Sequence, residues 1–197
     1  MCHLPNRHQC LAPVPVRTPA TRGVASPAGS VWMVGSSYMA RARQYLLLKG
    51  TSPNQPRMLW LARGEMRWKE LDTILDAQVK ATRRNPRALI IHLGSNDLCS
   101  VKGSQLYLDM AASILRIQLQ LPDTKIIVSS ILPRRYWHDA RYPLKIEGMR
   151  KNTMVPHPQI LASDKTWYAW KGVHLSDKGL CVFTDNLLHA LALVLHQ

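Results

Sequence analysis

The sequence predicts an α/β protein, a three-layer α/β/α sandwich around a mostly parallel sheet. Three observations predict it. Short, nearly unbroken apolar runs recur along the chain; the segments between them repeat apolar residues at helical spacing; and the runs stop in glycine, proline or small polar residues. Strands covered on both faces read as uninterrupted apolar runs, and alternation of strand with helix builds parallel sheets through right-handed crossovers.

The first run is SVWMVG (30–35), which ends in glycine and leads into a helix at Ser37. RMLWLAR (57–63) is the second, closed by Gly64. RALIIHLG (87–94) and TKIIVSSIL (124–132), closed by Pro133, are the third and fourth. Leu71, Ile74, Leu75 and Val79 form one helical stripe, and Tyr107, Met110, Ile114, Ile117 and Leu121 a second. A third stripe, Leu180, Phe183, Leu187, Leu191 and Val194, follows Ser176, whose hydroxyl suits an N-cap. The stretch 133–175 is the least regular. It holds a short helical pattern around 144–152, and only Met154-Val155 hints at a fifth strand before prolines intervene. The expectation is one domain over 30–197 with its last βα unit shortened, behind a proline-rich basic tail over 1–29.

That tail carries Pro5, Pro13, Pro15, Pro19 and Pro27 and no acidic residue. It has no apolar segment of secretory length. Its arginines suit a mitochondrial presequence, but its prolines oppose the amphipathic helix such a presequence needs. The expected tail is disordered, and the expected setting is intracellular, cytoplasmic or nuclear. Four widely spaced cysteines, Cys2, Cys10, Cys99 and Cys181, fit a reduced compartment. The opening CHLPNRHQC matches no standard zinc-finger spacing, so no metal is expected there. No apolar run approaches the ~20 residues of a membrane span.

The formal net charge is +14, and the first acidic residue is Glu65. Such a balance favours nucleic acid or an anionic membrane as a partner. The basic residues are scattered, however, without interleaved aromatics. The charge alone therefore implies at most weak contact through a basic surface. Apolar residues make up 46% of the chain, which excludes wholesale disorder.

Open parallel sheets bind ligands beyond the carboxyl ends of their strands. The first three strands deliver Gly35-Ser36-Ser37, Gly64-Glu65 and Gly94-Ser95-Asn96-Asp97 to that edge, and GVHLSDKG places His174 just before the final helix. This set is chemically coherent. A serine hydroxyl attacks only when a base accepts its proton, and histidine suits that near neutral pH. The oxyanion of acyl transfer needs preorganised donors. A backbone N–H at glycine, an asparagine amide and the N–H of Ser37 at a helix start are three such donors.

Taken in order, these blocks resemble the SGNH, or GDSL-like, hydrolases. VGSS, RGEMRW, IIHLGSNDL, ILPRRYW, HPQI and GVHLSDKG together look most like the SGNH esterase domains of vertebrate retroelements, over about 30–195. The resemblance implies a flavodoxin-like SGNH fold and a serine esterase or deacetylase acting on small acyl esters without metal or cofactor. It implies Ser37 as nucleophile, His174 as base, and the Ser37 amide, Gly64 and Asn96 as the oxyanion hole. Ser36 stands where many members have Asp.

Two departures stand out. The last block is normally Asp-x-x-His, yet Lys171 lies three residues before His174. A carboxylate there would orient the imidazole and stabilise its cation, whereas an ammonium disfavours it; losing the acid can cost on the order of 10⁴ in turnover. Asp164 or Asp177 could substitute in space. The segment between Lys145 and His157 is also short. Both suggest impaired catalysis in a repurposed copy of a mobile-element gene. The alternative is an inactive, transposon-derived basic module that binds nucleic acid or anionic surfaces.

Each residue also has a plainer reading. Ser37 alone suits a helix N-cap, and Asn96-Asp97 alone a turn. His92 and His157 are expected to serve structure. Trp68, Trp137, Trp167 and Trp170 suit packing at least as well as an acyl pocket. Arg134 and Arg135 are by default part of a solvated loop, with an acidic substrate or nucleic acid as the sharper reading.

Overall fold

The computed structural model describes residues 30–50, 56–137 and 155–196. The proline-rich tail with its Cys2–Cys10 stretch, the helical pattern at 144–152 and Met154 lie outside the described residues.

Four strands form where the apolar runs lie: β1 (Val31–Gly35), β2 (Met58–Ala62), β3 (Ala88–His92) and β4 (Lys125–Val128). They make one parallel sheet in the order β2-β1-β3-β4. The helices are α1 (Ser37–Lys49), α2 (Leu71–Thr82), α3 (Gly103–Gln120) and α4 (Asp177–Leu195). The chain leaves β1 for β2 on one side, then returns to β3 on the other. Loops diverge at such a reversal of strand order, and the crevice opens there. Among the described residues, the expected fifth strand is a single bridge at Val155. Val155 N donates to Val128 O at 3.1 Å, and Ser130 N donates to Val155 O at 3.0 Å.

Alternation along each strand divides the core. Val31 and Met33 of β1, with Ala88 and Ile90 of β3, face α1 and α4 and pack on Met39, Phe183 and Leu187. Trp32 and Val34, with Leu89 and Ile91, face α2 and α3 and pack on Leu71, Leu75 and Ile117. These are the two apolar layers of a sheet covered on both sides, and they account for the unbroken apolar runs.

One helix differs from its sequence pattern. In α3 the buried positions are Leu106, Ser113 and Ile117, while Tyr107 is 61% exposed. Leu106 takes the inward place because the Gly94 loop lies over it; the space of a Cβ on Gly94 comes within 3.5 Å of Leu106 Cδ2. Helix α4 is, by length and composition alone, apolar enough to cross a membrane. Here its Leu180, Phe183, Leu187 and Leu191 stripe is spent on the sheet. Ser176 caps it as expected, its Oγ accepting from Gly179 N at 3.2 Å.

Candidate active site

The carboxyl ends of β2, β1 and β3 are flush. Gly35 is opposite Ala62 on one side and His92 on the other. Gly35 must be glycine: a Cβ there would lie 2.7 Å from the His92 carbonyl oxygen and 2.2 Å from Met39 Cγ. That close approach lets α1 begin immediately past the sheet. Ser36 is the N-cap residue, but its side chain makes no capping bond and its Oγ is buried without a partner among the described residues. Ser37 is the first helical residue and is half-buried. Neither serine hydroxyl therefore caps α1, which leaves the plain N-cap reading of Ser37 without support.

Tyr38, next along, joins this end of α1 to the histidine loop. Its hydroxyl donates to Val173 O, and its ring meets the His174 ring edge-on with centroids 6.1 Å apart. Among the described residues no hydrogen bond links the Ser37 hydroxyl to His174. Catalytic hydrogen bonds are commonly long until substrate tightens them.

Gly64 follows β2, whose end is tied to β1 by Arg63 N donating to Gly35 O at 3.2 Å. The space a Cβ would fill at Gly64 is open, and the next residue, Glu65, holds a left-handed φ of 58°. Gly94, at φ 106°, turns the chain after β3, with Asp97 N and Leu98 N both donating to Gly94 O at 3.1 Å. This turn presents Asn96, whose Nδ2 donates to Met66 O at 3.1 Å. It also buries Asp97, whose carboxylate accepts from Trp68 N at 3.1 and 3.2 Å. Burial pushes the Asp97 carboxyl up, and the Trp68 N–H opposes that rise. So 94–97 is a turn, as the plainer reading has it, and one that also holds Asn96 at the strand ends.

His174 lacks the support that the usual acid would give. Its Nδ1 is buried and has no hydrogen-bond partner among the described residues. Burial, then the charges of Arg41 and Arg134, lower its pKa below the ordinary imidazole value. Lys171 is exposed. Neither substitute acid reaches the ring. Asp164 accepts from Thr166 N at 2.9 Å, and Asp177 is an exposed residue opening α4.

One residue read as solvated loop is not. Arg134 is only 8% exposed. Its Nη2 donates to Ser95 Oγ at 2.8 Å and to Asn96 Oδ1 at 3.0 Å, and its guanidinium lies 5.2 Å from the Trp137 ring centre. Arg135 is exposed. The signal for Arg134 lay in the same edge logic as the other blocks: PRR follows the fourth strand, so it too reaches the carboxyl rim.

His92 and His157 are structural, as expected. Asn186 Nδ2 contacts His157 Nδ1 at 3.1 Å, His157 Nε2 contacts Ser129 Oγ at 2.9 Å, and Ser129 Oγ contacts His92 Nδ1 at 2.8 Å. Of the tryptophans, Trp68 is core, Trp137 stacks under Arg134, Trp167 lies beneath Lys178, and Trp170 is 90% exposed. Among the described residues no cluster of three or more His, Cys, Asp or Glu could hold a metal ion.

No protein-family model matches the chain. No curated protein matches it either. Solved structures do. A Bacteroides fragilis protein taken to be an acylhydrolase superposes with a TM-score of 0.65 at 14% identity, over 85% of this chain and 89% of that one. A GDSL-like lipase from Bacteroides thetaiotaomicron gives 0.62 at 15%, over 83% and 87%. The psychrotrophic esterase EstA from Pseudoalteromonas, in a structure inhibited by monoethylphosphonate, gives 0.60 at 13%, over 86% and 100%. The chain thus has the flavodoxin-like α/β fold that these GDSL-like hydrolases share.

Proposed function

We propose that this chain is an SGNH-type serine hydrolase acting on small acyl esters, as an esterase or deacetylase. The supporting observation is the Tyr38 contact: the residue after Ser37 bonds the carbonyl before His174 and meets the imidazole itself. Nucleophile and base, 137 positions apart in the chain (174 − 37), are thereby carried by two segments in contact at the strand ends.

In this reading Ser37 Oγ attacks the ester carbonyl while His174 takes its proton. The amides of Ser37 and Gly64 and the Asn96 Nδ2 hold the oxyanion. His174 returns the proton to the leaving alcohol, and water releases the acyl group by the reverse course. The likeness in fold to esterases, one of them inhibited by a phosphonate, supports this reading. The narrower likeness to retroelement SGNH domains and an intracellular setting are parts of the same proposal. The unsupported His174 Nδ1 makes the wild-type rate low.

The test is hydrolysis of p-nitrophenyl acetate by wild type, Ser37→Ala and Lys171→Asp. Wild type should exceed Ser37→Ala, and Lys171→Asp should exceed wild type by about tenfold or more, a part of the ~10⁴ an orienting acid can supply. Equal rates for wild type and Ser37→Ala would overturn the proposal. Retention of such an inactive chain on heparin at low salt would then favour the basic binding module.

A further inference from the structure

We infer that Arg134 is a positioning residue that fixes which way the Asn96 amide faces, and so aims its N–H at the oxyanion. The inference rests on the reading of Asn96 as an oxyanion donor and adds a residue from the fourth strand end to that site.

A carboxamide can sit either way round, with its oxygen and nitrogen exchanged, unless its neighbours decide. Here they do. A guanidinium only donates, so the Asn96 atom 3.0 Å from Arg134 Nη2 must be the oxygen. On the other side the Met66 carbonyl only accepts, so the atom 3.1 Å from it must be the nitrogen. One amide hydrogen is used on Met66 O. The second is left over, fixed in the amide plane by the same two partners. An amide whose oxygen accepts from a cation is also polarised, which makes its N–H a better donor to developing negative charge.

Arg134 is itself held. The second hydrogen of Nη2 is used by Ser95 Oγ at 2.8 Å. The rings of Trp137 and Tyr38 lie 5.2 and 5.7 Å from the guanidinium carbon. The backbone around it is strapped to the histidine loop: Arg135 N donates to Gly172 O at 2.9 Å, and Tyr168 Oη donates to Pro133 O at 3.0 Å. Through Tyr38, Arg134 touches the nucleophile's helix; through its own bonds, the Asn96 turn; through its neighbours, the loop of His174. A lysine could carry the charge but not serve two acceptors in a fixed plane.

The test compares wild type with Arg134→Met, Arg134→Gln and Arg134→Lys, each with a cooperative thermal transition. Nitrogen-15 NMR follows the Asn96 side-chain amide pair, assigned by its loss in Asn96→Asp. In wild type the pair should be well dispersed and slow to exchange with solvent. In Arg134→Met and Arg134→Gln it should revert to the shifts and exchange of a free amide, with Arg134→Lys intermediate. In ester hydrolysis, kcat should fall about 10²-fold with little change in KM, the scale of losing one oxyanion donor. Arg134→Met should add nothing to Asn96→Ala in the double variant. An unmoved amide pair in both Arg134→Met and Arg134→Gln overturns the inference, as does a multiplicative loss in the double variant. If wild type hydrolyses no ester, the reading of the site fails while the amide pair still decides the role of Arg134.

Discussion

The Nδ1 atom of His174 is buried with no partner among the described residues, and the charges that bear on the ring, Arg41 and Arg134, are cationic. Burial and the charges of Arg41 and Arg134 lower the pKa of the ring, and the exposed Lys171, standing where a carboxylate would be expected, offers Nδ1 no acceptor. A general base works in its neutral form, and a lowered pKa keeps His174 neutral further into acid than an ordinary imidazole. The acid limb of kcat/KM against pH should therefore fall below the usual value of about 6.5. Supplying a carboxylate reverses the sign. In Lys171→Asp the acid limb should move upward while the plateau rises, because an opposite charge favours the imidazolium. A plateau that rises with no movement of the limb would show that the new side chain never reaches Nδ1. Ser37, Gly64, Asn96 and His174 could be proposed from the sequence because each sits in a short block at a strand or helix boundary. The placement of Arg134 could not be, because an arginine after Ile-Leu-Pro looks the same whether its guanidinium is solvated or folded over a tryptophan. Only the tertiary placement of Trp137 and Asn96 decides it.

Among the elements, the strands were the most legible, β1 to β3 each within two residues of its apolar run and β4 ending four residues before its run does, because burial on both faces leaves little room for polar residues. Helix faces were less so. Tyr107 fits the stripe of α3 by spacing, yet Leu106 is the residue turned inward, since what lies above a helix sets its rotation as much as its own pattern. The start of α4 carries a second consequence. Ser176 Oγ accepts from Gly179 N and donates to Thr166 O at 2.7 Å, so one hydroxyl both caps the helix and pins the loop that presents His174. Ser176→Ala should cost about 1 kcal/mol in urea denaturation, the usual worth of an N-cap. It should also lower kcat several-fold, because the loop loses its anchor two residues from the base. A stability loss without a change in kcat would confine Ser176 to capping.

For the whole molecule, a parallel sheet covered on both faces followed from the alternation of strands and helices, and Met154-Val155 hinted at the fifth strand of which Val155 keeps one bridge, whereas the strand order was not legible, because apolar runs do not say which neighbours pair. The same edge of the sheet is where polar groups were buried to complete the fold. Behind the site, His92 and His157 share Ser129 Oγ in a chain that Asn186 begins. Burial lowers both pKa values, that of His157 to about 4 and that of His92 well below the ordinary range. The unfolded chain protonates its histidines near 6.5, so between that pH and about 4 it binds more protons than the native state. Stability should then be independent of these groups above about 6.5, and should fall with pH below it. For His157 alone the loss is on the order of 3 kcal/mol by about pH 4, a large share of the ~5–15 kcal/mol that holds a domain folded. Urea midpoints measured from neutral pH down to about 5 should fall steadily. His157→Gln should start from a lower midpoint at neutral pH, since the bridge to Ser129 is disturbed, yet show a shallower descent, having one fewer proton to take up on unfolding. An equally steep descent in that variant would place the acid sensitivity elsewhere than in this buried pair.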